Sequence, residues 1–408
     1  MSRETTAPSA FDEICDPTAD PNPLAAHYRR FRVDRRLLLT GHSHQAWPDA
    51  ALAGHQEAWL DAAERVDGKW ARAFERADRV RTGYRARMDD PDGLYTLASS
   101  THDLVVRFLS ALPLRRGARI VTTDQEFYSL ERQLRRLEEE GIEVTRVASR
   151  PEDSVGERIA AAVDDATRAV CLSTVFFQTA RIAGGVPAAA EACRRHGVPL
   201  LLDVYHQLNA VPFSLRAAGL TDAYVVGGGY KYLQLGEGNA FLRFPAGCEL
   251  RPVVTGWFAE FGELSAEKRT GRVRYAAGDE RFAGATYDPT SHYRAAAVFD
   301  FFDAHGLDPG RLRKISQHQV GLLRRLFDEL DLDPGLVRRA DPPLERLGGF
   351  LALESPRAGE LETALAARGV STDSRGALLR LGPAPYLSDR QLGDAIAALG
   401  EAAAELTA

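Results

Sequence analysis

Cysteine is scarce in this 408-residue chain: Cys15, Cys171, Cys193 and Cys248, with no paired spacing. That excludes a disulfide scaffold and a cysteine-built zinc site, and predicts reduced structural thiols in a cytoplasmic setting. No apolar run approaches the ~20 residues of a membrane span. The segment Met1 to Thr6 has no apolar core, so no signal peptide is expected. Charge of either sign is not in excess. The net value of −6 argues against nucleic acid or an anionic membrane as main partner. Repeats and low-complexity linkers are also missing. What is present is ordinary, 45% hydrophobic and 26% charged, with room for one large domain and a smaller one.

One stretch departs from the ordinary. From Tyr224 the chain runs Val225-Val226 into Gly227, Gly228 and Gly229, then Tyr230-Lys231-Tyr232, then a loop with Gly236 and Gly238. Taken alone, this fits a strand, a glycine turn and a surface lysine. It also fits a desolvated lysine, which loses its charge easily and can condense with a carbonyl. A phosphate-binding P-loop is excluded, because Lys231 is followed by Tyr232 and not by Ser or Thr. Upstream, Leu200-Leu201-Leu202-Asp203-Val204-Tyr205-His206 is an apolar strand ending in a carboxylate and a histidine. The separation from Asp203 to Lys231 (231 − 203 = 28 residues) allows one crossover and the next parallel strand. Both side chains then reach the carboxyl ends of an open α/β sheet, where such sheets bind ligands. An acid and a lysine in one crevice suit pyridoxal 5'-phosphate, whose ring nitrogen wants the acid and whose aldehyde wants the lysine.

The run from Leu202-Asp203-Val204-Tyr205-His206 to Val225-Val226-Gly227-Gly228-Gly229-Tyr230-Lys231-Tyr232-Leu233 resembles the class V aminotransferase family of pyridoxal phosphate enzymes (fold type I). Within it, Tyr230-Lys231-Tyr232-Leu233, Gly236-Glu237-Gly238 and Gly256-Trp257-Phe258 look most like kynureninase. The resemblance extends in patches from about Leu38 to the C-terminus. It implies Lys231, Asp203 and His206 as the catalytic group, with Lys231 holding the cofactor and His206 facing the ring hydroxyl. It implies a phosphate site at Ser99-Ser100-Thr101, where ordinary helix capping would also explain a hydroxyl. Tyr128 is the expected ring against the pyridine face, with Phe127 in reserve and core packing as the alternative for both. Gln178 is expected to face the ring oxygen or the substrate, and Tyr230 the phosphate. Gly228 replaces a residue that often carries a polar side chain in the family, leaving the phosphate one donor short. Thr286 matches a threonine that reaches the phosphate of a neighbouring subunit, so a homodimer is implied. An extra alanine between Gly284 and Thr286 departs from the family's Gly-Thr-Pro.

For the substrate, the resemblance implies an amino acid whose carboxylate is taken by Arg380, ahead of Leu381-Gly382-Pro383-Ala384-Pro385-Tyr386. Arg375 reads as a surface charge. The loop Gly41 to Trp47 falls where the family has a substrate loop. Ser43 is the residue kept from the kynureninase pattern there, and His44 joins it as a candidate contact. His42 and His44 have no third ligand nearby, so no metal is expected. Persulfide chemistry is not expected, because Cys248 is the last cysteine and lies before the C-terminal loops. The reading is therefore a kynureninase-like lyase cleaving at the β-carbon side chain. An aminotransferase or C–S lyase is the alternative, and a non-catalytic binding protein a third.

Periodicity supports the fold. Strands around Gly93–Ala98, Arg119–Thr123, Gly141–Val147, Ala169–Thr174 and Pro199–Asp203 alternate with helical segments. This predicts a doubly wound, mostly parallel sheet. The expected organisation is an arm and substrate loop over 1–48, a large cofactor domain over 49–290, and a small α+β domain over 291–408.

Overall fold

The computed structural model describes residues 13–263 and 271–407. A short strand, β1 (Leu37–Leu38), precedes two helices, α1 (Ala50–Arg65) and α2 (Lys69–Arg87). Strands and helices then alternate: β2 (Leu94–Ala98), α3 (Thr101–Ser110), β3 (Arg119–Thr123), α4 (Tyr128–Glu139), β4 (Glu143–Val147), α5 (Val155–Ala162), β5 (Thr167–Ser173), α6 (Val186–His196) and β6 (Leu200–Asp203). Two more strands, β7 (Tyr224–Gly228) and β8 (Ala240–Phe244), lead to α7 (Thr290–Ala304) and α8 (Pro309–Glu329). The C-terminal part holds β9 (Arg338–Arg339), β10 (Leu351–Glu354), α9 (Ala358–Ala367), β11 (Val370–Ser371), β12 (Asp373–Arg375), β13 (Leu378–Leu381) and α10 (Asp389–Thr407).

The central sheet has the order β2-β8-β7-β6-β5-β3-β4. Pairings from β7 through to β4 are parallel, while β8 runs antiparallel to β7 and to β2. The expected mostly parallel α/β architecture is therefore present. The reason is visible in the strands: β5, β6 and β7 are near-continuous apolar runs, buried on both faces by helices. Helix punctuation is equally local. Ser100 Oγ accepts the Asp103 N–H at 3.2 Å and caps α3. Pro187 sits in the first turn of α6, and Gly197 ends it at φ +64°.

One buried ion pair pins the sheet's antiparallel edge. Arg243 on β8 meets Asp90 through Nε (2.7 Å) and Nη2 (2.8 Å), and both side chains are 2% exposed. The Tyr95 hydroxyl on β2 donates to the same carboxylate at 2.8 Å.

The C-terminal strands form an antiparallel sheet, β12-β13-β10-β9. Strands β9, β11 and β12 were not expected from the sequence, since two or three mostly polar residues give no alternation to detect. The arm is stitched onto this part of the molecule. β1 pairs in parallel with β11, and Thr40 bridges to Gly382. Asn22 Nδ2 donates to the carbonyls of Pro385 and Leu387, and the Asp389 N–H to that of Pro17. α7 instead lies against α1 and α2, closely enough that Gly54 abuts the Tyr293 backbone and Gly83 abuts the Phe299 ring.

Candidate active site

A cavity of about 290 Å³ lies at the carboxyl ends of β3, β5 and β6, where the parallel strands release their loops. Asp203 ends β6, and the loop after β7 carries Lys231. Both line the cavity with His206, as the 28-residue spacing requires. Lys231 Nζ lies 2.6 Å from His206 Nε2. Burial lowers the Lys231 pKa to about 7, against the pull of Asp203 and with the help of Arg380. Burial, then the neighbouring Lys231 charge, pushes His206 well below its ordinary range. The shift favours the neutral imidazole, whose Nε2 faces Lys231 Nζ. Its Nδ1 is buried with no hydrogen-bond partner among the described residues. Asp203 accepts the Tyr205 N–H at 2.8 Å, and burial raises its pKa.

The Lys231 loop is held rigidly. Gln234, Gly236 and Gly238 have positive φ, and the Leu235 N–H closes onto the Gly229 carbonyl at 2.9 Å. Arg294 on α7 donates to the carbonyls of Leu235 and Glu237 while stacking on Trp47 at 4.5 Å.

The start of α3 forms another wall of the cavity, a cradle of hydroxyls and backbone. Ser99, Ser100, Thr101 and His102 line the cavity at the start of α3, whose first N–H groups have no partner within the helix. The hydroxyls have local partners: Ser99 donates to Asp103 at 2.9 Å, and Thr101 to the Gly227 carbonyl at 3.4 Å. The backbone of Gly238, Asn239 and Ala240 faces the same space. A Cβ on Gly228 would collide with the Tyr205 hydroxyl, so the missing polar side chain at 228 is replaced in space by that phenol. The Tyr205 ring stands 4.9 Å from that of Tyr230, which also lines the cavity.

The aromatic wall comes from Phe127, which lines the cavity with Lys231 Nζ 5.2 Å from its ring centre. Tyr128, the first choice from sequence, is half exposed and lies outside the lining. The peptide between them explains the exchange: Phe127 is extended and precedes α4, whose first residue, Tyr128, already points outward. Behind the wall, Glu126 is buried and accepts from Thr123, from the Ser173 hydroxyl and from the Ser173 N–H. Burial pushes its pKa up to about 7.

Several sequence candidates lie outside this lining. Gln178 belongs to a neighbouring groove with Tyr128, Arg150, Arg338 and Arg375. Thr286 is exposed and is not among the residues lining the cavity. Ser43 bonds His44, whose ring stacks on Tyr230 at 4.8 Å and whose Nε2 is 3.6 Å from Glu237. These two therefore border the site from outside.

Arg380 is buried, and each of its three nitrogens donates within the protein. Nε and Nη2 meet Asp373 at 2.8 and 2.5 Å, and Nη1 meets the Phe177 carbonyl at 2.6 Å. Asp373 also accepts from His42 Nε2 at 2.7 Å. Burial would raise Asp373, but His42 and Arg380 together hold it well below the carboxylate range. Burial brings His42 down to about 4. Sequence reading missed Asp373 because β12 is too short to be recognised. It missed Tyr205 because a tyrosine just after the Asp203 strand looks like packing. No cluster of three metal-ligating side chains occurs among the described residues.

No protein-family model matches the chain, and no curated protein does so significantly. Solved structures do match. The chain is similar to a K223A mutant of C-DES with glycine covalently linked to the pyridoxal phosphate cofactor (TM-score 0.78, 15% identity, covering 92% of this chain and 99% of that one). The cystine C–S lyase C-DES with its product cysteine persulfide matches at 0.77 and 15%, covering 90% and 98%. The cysteine desulfurase CsdA of Escherichia coli matches at 0.76 and 15%, covering 95% and 99%. At this level of identity the likeness is one of fold: the chain has the fold of these pyridoxal phosphate enzymes over nearly its whole length.

Proposed function

We propose that this protein is a pyridoxal phosphate-dependent enzyme acting on an amino compound. The observation that carries the reading is the buried Lys231 beside Asp203 and His206, facing the α3 cradle across one cavity. The residues fit the group. The cradle suits a phosphate, Phe127 a ring face, Asp203 a protonated ring nitrogen, and the orphaned polar nitrogen of His206 a cofactor oxygen. Bound there, the cofactor supplies an aldehyde and an electron-accepting ring. With its pKa lowered to about 7, Lys231 is in substantial part the free amine near neutral pH, so Nζ can attack a carbonyl and afterwards take a proton from the substrate carbon. Asp203 keeps the proton on the ring nitrogen. The apolar floor of Val226, Leu201 and Leu172 excludes water from the reacting atoms.

The reaction read from sequence is a lyase cutting the substrate side chain at its β-carbon, as in kynureninase-like enzymes. A C–S lyase is the second reading, favoured by the likeness to C-DES and by the state of the thiols. All four cysteines are buried, so no accessible thiol is available among the described residues to receive sulfur. A homodimer is part of the proposal. Exposed Thr286 adjoins an apolar surface of Val253, Val254 and Trp257, where the Phe258 N–H bonds the Gly284 carbonyl.

The test is reconstitution. Apoprotein mixed with pyridoxal phosphate should turn yellow, and borohydride reduction should leave the cofactor mass on the Lys231 peptide. Lys231→Ala should show neither. Label on another lysine, or a yellow Lys231→Ala protein, removes the assignment. Product analysis after incubation with β-substituted amino compounds then separates a lyase from an aminotransferase.

A further inference from the structure

A substrate anion beside Lys231 needs a cationic partner, because a buried carboxylate without one is costly. Arg380 is buried just outside the cavity lining, where its Nη1 donates to the carbonyl of the lining residue Phe177 and its charge acts on Lys231. Its fork is closed from within the protein. Asp373 lies directly opposite Arg380 in the β12–β13 pairing, so the two side chains share one face of the sheet. The contact is the bidentate geometry in which guanidinium and carboxylate fit best. The remaining arm is tied to the Phe177 carbonyl, and His42, fully buried, fixes Asp373 from the other side. A substrate carboxylate taking that edge of the guanidinium would have to displace Asp373 from its two hydrogen bonds with Arg380 and leave a second carboxylate, held by His42 and Arg375, beside the newcomer.

We infer that Asp373 sets the substrate class of this site: it fills the carboxylate position of Arg380, so the amino compound taken is one whose carboxyl group is absent or neutral, an amine or an amino-acid amide. This inference rests on the pyridoxal phosphate reading. The neighbouring half-exposed Arg375, 3.4 Å from Asp373, does not change it, since it too faces the same internal carboxylate.

The experiment uses the reconstituted holoenzyme and matched trios, such as L-phenylalanine, L-phenylalaninamide and phenethylamine, with equivalent trios built on alanine and tyrosine. Each is titrated while the cofactor absorption band is followed. In the wild type, amides and amines should perturb the band at concentrations at least tenfold below the parent acids. Asp373→Asn keeps the shape but removes the charge, so the acids should gain about tenfold or more in affinity while amines change little. Asp373→Ser is the second variant, with circular dichroism as the check on folding. Tighter binding of acids than of amides in the wild type overturns the inference, whatever the variants do. So does an Asp373→Asn protein that folds and binds acids no better, or silence of every trio in both proteins. Absence of any cofactor band in the wild type instead sinks the pyridoxal phosphate reading, which the borohydride test detects separately.

Discussion

The lysine at the centre of this site is defined by what surrounds its nitrogen. Desolvation puts Lys231 near a pKa of about 7, against 10.5 for a free lysine, so burial disfavours its charged form. The sign follows: below pH 7 the apoprotein carries a buried ammonium, and above it a free amine. Incorporation of pyridoxal phosphate, followed as growth of the yellow band, should therefore quicken about tenfold per pH unit below 7 and level off above it. A rate still climbing tenfold per unit between pH 8 and 9 would mean an unperturbed lysine. The same shift acts on stability. Between pH 7 and 10.5 the unfolded chain holds the proton that the folded one has lost, so this residue's burial penalty fades as pH rises through that window. The meeting of Lys231, Asp203 and His206 in one cavity was legible in the sequence because their places follow from position along two strands. The choice between Phe127 and Tyr128 was not, since it turns on where the strand-to-helix turn ends. Nor was the state of Arg380, since its partner Asp373 comes from a strand that leaves no sequence pattern.

Elements explain why the site residues converge. Three apolar strands side by side present Ser173, Asp203 and the Lys231 loop at one edge, and α3 starts opposite them with Ser100 as its cap. This alternation was plain in the sequence, and the helices begin and end within a few residues of expectation where capping residues mark them. The antiparallel edge was less plain, because pairing direction depends on partners far away in the chain. Its anchor is testable. Asp90→Ala would leave Arg243 charged, buried and without its carboxylate, and would strip the Tyr95 hydroxyl of its acceptor. Removing one partner of such a pair costs about 3–5 kcal/mol, while replacing both by apolar residues costs far less. Thermal unfolding of Asp90→Ala should show that loss, and the double variant Asp90→Leu with Arg243→Met should recover most of it. Equal Tm values for wild type and Asp90→Ala would show that the pair contributes nothing.

At the scale of the whole molecule, the exposed surface around Trp257 (46%) and Val253 (82%) is poorly suited to water. Light scattering at micromolar concentration should give a mass of twice the 44.7 kDa chain. Replacing Val253 and Trp257 by glutamate and arginine should shift the mass toward that of one chain. A single-chain mass in the wild type, with full cofactor loading, counts against the dimer.

The stitching of the arm also has a consequence in time. Leu39 bonds the Ser371 carbonyl, Gly382 bonds Leu39, and Gln45 in the following loop leans on Tyr230 beside the lysine. Residues 37–40 leave the ribosome early, but 370–382 follow some 330 residues later (370 − 40 = 330). At about 5–20 residues per second, the arm waits roughly 16–66 seconds for the strand it joins. During that interval the central sheet and its lysine loop can form, and the Gly41–Trp47 loop can lean on Tyr230 and Gln234, yet the strand that leads into it has no partner. The nascent protein thus carries a finished floor under a roof moored on one side, and the second mooring comes only when the C-terminal strands arrive.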